Sequence, residues 1–315
     1  MDTFISCDWG TSSFRLRLIE IETQNVLAEV TSPQGIAVTY GLWKNSSSDR
    51  FLFYRSIISE GIQTLSDQCG YSLDDVPVIV SGMALSGIGM MELEYKELPV
   101  TAGGKDLLVH PIDPSNNFKH RMIMISGLKS KNDAMRGEET MITGCDIKNI
   151  PDEQLFILPG THSKHVSVKS GMIINCKTFM TGELFDLLST KSILSASVEK
   201  ENLVPEIRNS YFEKGIKEGA YDNLLNSIFH VRTNQLFNKT DAKENYHYLS
   251  GLLIGAELKG LIHNSYSSVT LVSDEKFLLP YSQALYFLEI IKGIEQINAD
   301  KALIKGQTVI YKLYQ

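Results

Sequence analysis

Two short strings constrain this chain more than anything else in it. Asp8-Trp9-Gly10-Thr11-Ser12-Ser13 and Leu158-Pro159-Gly160-Thr161-His162-Ser163 share a Gly-Thr-x-Ser turn, and their glycines lie 150 residues apart, about one domain length. Each turn follows a short apolar strand and leads into two more. The strands read as residues 4–8, 14–21 and 25–30 in the first half, and 155–158, 164–168 and 172–178 in the second. One such turn is common. The same turn at the first hairpin of two consecutive halves marks an internal repeat. It predicts two related α/β domains facing each other, each presenting a hairpin tip to a shared cleft, and 315 residues suffice for two cores.

Between and after the turns, apolar periodicity predicts a helix capped by Asp49 and closed by Gly70, with Phe53, Ile57, Ile58, Ile62 and Leu65 on one face. Buried strands are expected at residues 76–80, 121–125 and 269–272, and helices at 182–191, 211–229, 248–262, 277–291 and 300–314. Pro280 is expected in the first turn of its helix or at a kink. Met83, Met90 and Met91 read as gap-filling core.

Composition removes several classes of function. Lys and Arg number 30 against 37 Asp and Glu, a net charge of −7, which argues against nucleic acid as a main partner. The first residues carry no basic leader, and no run reaches the ~18 apolar residues of a membrane span. Cys7, Cys69, Cys145 and Cys176 are scattered without a CxxC pair, the pattern of free thiols in a reducing compartment. The cytoplasm is therefore expected, with no membrane partner; the oligomeric state, homo-oligomer included, is left open.

A turn of Gly, Thr and Ser offers backbone N–H groups and hydroxyls, and glycine admits close approach of a ligand, so two such turns suit nucleotide phosphates. Either turn alone reads as an ordinary β-turn; as a pair they read as phosphate loops. Lys164 adds a cation beside the second, and Asp8 is placed to orient Mg2+, chiefly through water. No Walker-type G-x-x-x-x-G-K-[ST], kinase H-R-D or D-F-G, or G-x-G-x-x-G string occurs, so ATP would bind by the hairpin-turn route. His162 and His165, three apart on a strand, would face opposite ways, which argues against a metal pair there.

The strings Cys7-Asp8-Trp9-Gly10-Thr11-Ser12-Ser13 with Arg15, Ser32-Pro33-Gln34-Gly35-Ile36, Met135-Arg136-Gly137-Glu138-Glu139-Thr140, Leu158-Pro159-Gly160-Thr161-His162-Ser163-Lys164, Met180-Thr181-Gly182-Glu183-Leu184-Phe185 and Ser250-Gly251-Leu252-Leu253-Ile254-Gly255-Ala256-Glu257-Leu258 together resemble the 2-dehydro-3-deoxygalactonokinase family. The resemblance runs from the first strand to about residue 290. It implies the fold of the sugar-kinase/actin-like ATPase superfamily: α/β, two related ribonuclease-H-like domains around a central cleft. On that basis residues 1–130 form the lobe with the first phosphate turn. Residues 131–315 form the lobe with the second turn and an adenosine site, the last helix being free to pack back on the first lobe.

The activity implied is phosphorylation of the terminal 6-hydroxyl of a 2-keto-3-deoxy sugar acid, 2-dehydro-3-deoxy-D-galactonate first among them, by ATP with Mg2+, as in galactonate degradation. The implied phosphate ligands are Asp8, Gly10, Thr11, Ser12, Ser13, Gly160, Thr161, His162, Ser163 and Lys164. Glu138, which follows a glycine and opens a helix, ranks first as general base and Asp133 second; helix capping is the structural alternative for both. Gln34, Gly35, Ser86, Arg136 and Glu183 are assigned to the sugar acid, with the guanidinium fork of Arg136 matched to its carboxylate or else to a protein acid. Gly251 and Ser273 are assigned to adenosine. At Ser86-Gly87-Ile88 the chain lacks the family's Arg-Gln pair after the serine, which keeps a different sugar or sugar acid open as substrate. A non-catalytic nucleotide- or sugar-acid-binding regulator of the same fold is the other alternative.

Overall fold

The structure, a computed structural model, describes residues 2–201, 210–264, 266–291 and 293–315. The chain forms two compact units. One contains Met1–Asn149, Val168–Cys176 and Ala299–Gln315; the other contains Ile150–Ser167 and Lys177–Asn298.

The first unit opens with β1 (Thr3–Trp9), β2 (Phe14–Glu20) and β3 (Val26–Ser32), an antiparallel meander as expected. Helices α1 (Ile36–Lys44) and α2 (Arg50–Cys69) follow, then β4 (Val78–Gly82), which pairs parallel to β1. After β5 (Lys96–Glu97), β6 (Val100–Thr101) and β7 (Val109–Ile112) comes β8 (Met122–Ile125), parallel to β4 and antiparallel to β7. The sheet order is β3-β2-β1-β4-β8-β7. Two-residue strands β9 (Leu128–Lys129) and β10 (Ala134–Met135) join β5 in a small sheet that delivers the chain to α3 (Glu138–Thr143).

Local chemistry accounts for these elements. Helix α2 begins where the Asp49 carboxylate accepts the Leu52 N–H at 3.0 Å and ends where Gly70 turns left-handed at φ 75°. Its buried face is rotated slightly from the expected one: Tyr54, Ile58, Ile62 and Leu65 are buried, while Phe53 and Ile57 are half-buried. β1 and β4 are central strands and almost wholly buried, whereas β3, at the sheet edge, alternates with exposed residues. Met90 lies in the core between α2 and the sheet, with Met83 and Met91 packed against it.

The second unit takes in β11 (Gln154–Leu158), most of β12 (Ser163–Lys169), the end of β13 (Met172–Phe179) and α4 (Thr181–Thr190). The intervening Val168–Cys176 belongs to the first unit, where Met172 and Ile173 pair antiparallel with Thr101 and Val100 of β6. Then come α5 (Ser210–Tyr221), α6 (Leu224–Leu236), α7 (Ala242–Leu258), β14 (Ser268–Ser273), α8 (Glu275–Phe287) and β15 (Ile294–Asn298). β11, β14 and β15 run parallel. Helix α9 (Ala299–Leu313) returns the chain to the first unit.

Three expectations need correction. The single helix expected at 211–229 is two helices, because Asn223 leaves helical geometry and its side chain caps α6 at the Asn226 N–H. The helix expected from 248 begins six residues earlier, at a capping box formed by Asp241 and Glu244. Pro280 is the sixth residue of α8, which removes the first-turn placement and leaves Pro280 inside the helix. Helix α1 and the short strands β5, β6, β7, β9, β10 and β15 were not expected at all.

The tightest packing of the second unit is the crossing of α5 and α7. A Cβ at Gly215, Gly219, Gly251 or Gly255 would lie 2.0–2.2 Å from a carbonyl oxygen of the facing helix, so the two backbones touch. Among the described residues no helix is long and apolar enough to cross a membrane. All four cysteines are free; Cys7, Cys145 and Cys176 are buried.

Candidate active site

The first turn closes where the Gly10 N–H donates to the Ser13 carbonyl at 2.9 Å, next to the last β1–β2 pair, Trp9 and Phe14. The Trp9 ring packs on Phe14 and Tyr54, and its indole N–H donates to the Gln34 carbonyl at 3.1 Å. That bond ties the turn to the entry of α1, where Ile36 and Ala37 N–H groups donate to the Gly10 and Thr11 carbonyls at 3.0 and 3.2 Å. A Cβ at Gly35 would sit 2.3 Å from the Thr11 carbonyl oxygen, so glycine is required for this fit. With three of its carbonyls engaged, the turn's chemistry is dominated by N–H groups and hydroxyls, and Thr11 and Ser12 are exposed.

The second turn repeats the arrangement in its own unit. Glu183 N–H, at the start of α4, donates to the Thr161 carbonyl at 3.0 Å, and a Cβ at Gly182 would lie 2.3 Å from the Gly160 carbonyl oxygen. The turn glycines contrast with these packing glycines. A Cβ at Gly10 would meet nothing closer than 3.8 Å, one at Gly160 nothing within 4 Å, and neither residue has a positive φ. Neither packing nor backbone geometry demands glycine at these two positions.

The third component is the entry to α3. Gly137 has φ 106° and Gly82 φ 84°, conformations that favour glycine. A Cβ at Gly137 would lie 3.1 Å from the Gly82 Cα, and one at Gly82 would lie 3.2 Å from the Trp9 carbonyl and 3.7 Å from Asp8 Oδ1. The ends of β1 and β4 and the start of α3 therefore converge, bringing Glu138 to the neighbourhood of Asp8 and the first turn. The Glu138 carboxylate accepts the Arg136 N–H at 2.9 Å. Glu139, fully buried, accepts the Gly137 N–H on both oxygens (2.9 and 2.8 Å) and the Thr140 hydroxyl at 3.1 Å. Burial, and then the charge of Glu138, push the Glu139 carboxyl up to about 8. Asp133 lies in the turn joining β9 and β10, where its backbone bonds to Ser130.

The remaining candidates divide sharply. Arg136, 7% exposed, stacks over the Tyr95 ring at 4.0 Å and donates to the Leu93 carbonyl at 2.9 Å; Nε and Nη1 have no partner among the described residues. Its alternative partner, a protein acid, is absent from these contacts. Glu183 meets His162 at 2.5 Å. Lys164 is buried and folds back to the His162 carbonyl at 2.9 Å, bracing the turn. Ser163 is fully buried, with its hydroxyl 3.0 Å from Tyr281. The Ser86 hydroxyl is spent on the Met83 carbonyl. Gly251 lies inside the α5–α7 crossing, against the Phe212 carbonyl. Ser273 is buried at the end of β14, its hydroxyl without a partner among the described residues. Tyr95 escaped the sequence reading; an aromatic residue in a loop gives no sign of the arginine it will face.

A repeated hairpin turn on an α/β unit with an acidic helix entry beside the first fits the actin-like ATPase fold, and the family match that follows makes the protein a sugar kinase, a transferase. A family model described as 2-keto-3-deoxy-galactonokinase matches residues 8–310, and the chain belongs to that family. It is 29% identical over 314 residues to "Probable 2-dehydro-3-deoxygalactonokinase DgoK1" of Rhizobium meliloti (strain 1021), covering 96% of this chain and 94% of the relative. It is 28% identical over 225 residues to 2-dehydro-3-deoxygalactonokinase of Escherichia coli (strain K12), covering 67% and 70%. The crystal structure of a "putative 2-dehydro-3-deoxygalactonokinase protein" from Sinorhizobium meliloti superposes with a TM-score of 0.82 at 28% identity, covering 98% of this chain and 96% of that one.

Proposed function

We propose that the protein transfers the γ-phosphoryl group of ATP to the terminal 6-hydroxyl of 2-dehydro-3-deoxy-D-galactonate, with Glu138 as general base. The observation carrying this reading is the meeting of Gly82 and Gly137, which sets the start of α3 beside Asp8 at the end of β1. The new bond joins the sugar oxygen to the γ-phosphorus, the bond to the β-phosphate oxygen breaks, and the hydroxyl proton passes to the Glu138 carboxylate. Burial, and then the charge of Glu138, push the neighbouring Glu139 carboxyl up to about 8, which suits it less to the role of base.

The turns at residues 10–13 and 160–163 each contribute N–H groups to phosphate, through Thr11, Ser12 and Ser13 in the first and Gly160, Thr161 and His162 in the second. Mg2+ suits the residues present. It keeps most of its waters and needs only a carboxylate or two besides phosphate oxygens, which Asp8 supplies. Among the described residues no group of three or more His, Cys, Asp or Glu forms a dedicated cage. When bound, the ion neutralises phosphate charge. Arg136 is the residue for the sugar-acid carboxylate, which would supply an acceptor to one of its unpartnered edges, at Nε or at Nη1.

The test is turnover of Mg-ATP with a panel of 2-keto-3-deoxy acids, aldonates and neutral hexoses. We expect 2-dehydro-3-deoxy-D-galactonate to be preferred. Glu138→Gln should lower kcat by about 10²–10⁴ while both KM values stay within a few-fold. A preference for a neutral hexose would remove the carboxylate role of Arg136, turnover of none would remove the kinase reading, and the same loss in Asp133→Asn alone would move the base to Asp133.

A further inference from the structure

We infer that Glu257 is the positioning residue for the second turn: from the middle of the unit it fixes the shape in which that turn meets phosphate. The inference rests on the reading of residues 160–163 as a phosphate loop, and it concerns a residue without access to any ligand, since the Glu257 side chain is 1% exposed.

Three donors from three elements converge on its carboxylate. His165 Nε2 of β12 lies 2.9 Å from Oε1; the Tyr281 hydroxyl of α8 lies 2.7 Å from Oε2; the Thr181 hydroxyl at the start of α4 also donates to Oε2. A buried carboxylate is tolerable only with its acceptor sites filled, and here they are filled by His165, two residues past the turn, by Thr181, next to Gly182, and by Tyr281, which contacts Ser163. Thr181 immediately precedes Gly182, whose backbone rests on Gly160, and Glu183, whose N–H holds the Thr161 carbonyl.

Hydrogen-atom accounting extends the network to the turn itself. Tyr281 has one hydroxyl hydrogen, and Glu257, an acceptor, takes it. The 3.0 Å contact between Tyr281 and Ser163 therefore has Ser163 as donor. The Ser163 hydroxyl hydrogen points inward and is not free for phosphate, so Ser163 acts as an anchor and the phosphate contacts fall to Gly160, Thr161 and His162. The order Ser163→Tyr281→Glu257, with His165 and Thr181 closing on the same carboxylate, pins both ends of the turn to α7. In the sequence Glu257 is a lone acid on an otherwise apolar helix stretch, Leu252-Leu253-Ile254-Gly255-Ala256-Glu257-Leu258. Such a position holds an acid only where donors surround it.

Steady-state kinetics and melting of the full-length protein test this. Glu257→Gln leaves one acceptor oxygen where three groups converge and turns the other oxygen into an NH2 donor. We expect KM for ATP to rise about tenfold or more, as for one lost charge-assisted hydrogen bond, with KM for the sugar acid within twofold. Tyr281→Phe should give a smaller rise of the same kind, and combining the two should add little to Glu257→Gln alone. If Glu257→Gln does not fold, Tyr281→Phe and Ser163→Ala carry the test, each expected to raise KM for ATP. An unchanged KM for ATP in the folded variants, or an equal shift in both substrates' KM, would overturn the inference. Gly160→Val separates it from the reading beneath: its side chain projects into open space, so it should raise KM for ATP without touching the network. If Gly160→Val is without effect, the phosphate role of the turn falls and the inference with it; if only the network variants are without effect, the inference falls alone.

Discussion

Two neighbouring glutamates at the entry of α3 show how far environment separates identical side chains. Glu138 is half-buried and bonds one backbone N–H; Glu139 is fully buried and shifted to about 8. The sign of the resulting pH dependence follows from linkage. The unfolded chain releases the Glu139 proton near pH 4.5, while the folded chain keeps it until about pH 8. Folding is therefore favoured most below pH 4.5 by this group, loses stability as pH rises through that window, and is flat above it. The loss amounts to roughly a few kcal/mol at most, since the Gly137 and Thr140 donors stabilise the anion in part. Glu139→Gln, which still accepts the Gly137 N–H, should lose that slope. Melting temperature followed from pH 5 to 8 should fall less in the variant than in the parent, and parallel curves would show that Glu139 is ionised in the fold. Nothing in Gly-Glu-Glu-Thr distinguishes the two residues beforehand, because the difference is burial, a tertiary property.

At the scale of elements, the short α3 owes its place to α9. A Cβ at Gly144 would lie 1.9 Å from the Ala302 carbonyl, and one at Gly306 would lie 1.8 Å from the Thr140 carbonyl, so the helices cross backbone to backbone. Gln307 of α9 reaches on to donate to Ser81 at 2.9 Å, beside Gly82 and the base entry. Gly306→Ala must push the helices apart, at a cost of about 1–3 kcal/mol or more. Because Glu138 begins the displaced helix, kcat should fall alongside stability. Gly41→Ala is the contrasting case. Its Cβ would meet nothing, it lies within α1, and it should stabilise by up to about 1 kcal/mol without changing kcat. Thermal melts and kinetics on the pair decide the matter: equal effects would mean that the α3–α9 contact is not specific. Elements with strong local signals were legible beforehand, as with Asp49 and Gly70 bracketing α2. The Asn223 break was not, because both flanking segments are helical and continuous in period. The two-residue strands β5, β6, β9 and β10 have too few residues to carry a period at all.

At the scale of the whole molecule, the repeat is deeper than the shared turn. In each unit the strand after the hairpin leads to a helix whose entry glycine, Gly35 or Gly182, rests against the turn's backbone, and whose N–H groups hold the Thr11 or Thr161 carbonyl. The sequence shows the Gly-Thr-x-Ser turns but not this second correspondence, because Gln34-Gly35 and Thr181-Gly182 share only a glycine and their role is a contact made 20 or more residues away. The repeat makes a matched prediction of four variants. Gly10→Ala places a methyl group in ordinary contact with Ser13, 3.8 Å away, and Gly160→Ala places one in open space; both should leave the melting temperature within about 2 °C, while raising KM for ATP about tenfold by excluding phosphate from the backbone. Gly35→Ala and Gly182→Ala drive a methyl group into carbonyl oxygens 2.3 Å away and should lower stability by about 1–3 kcal/mol as well as ATP affinity. Melting and ATP kinetics on all four separate two causes of glycine. If the first pair melts as low as the second, packing explains all four positions and the phosphate role of the turns is lost. If only one member of the first pair affects KM for ATP, the halves have kept a common shape and only one of them has kept the task.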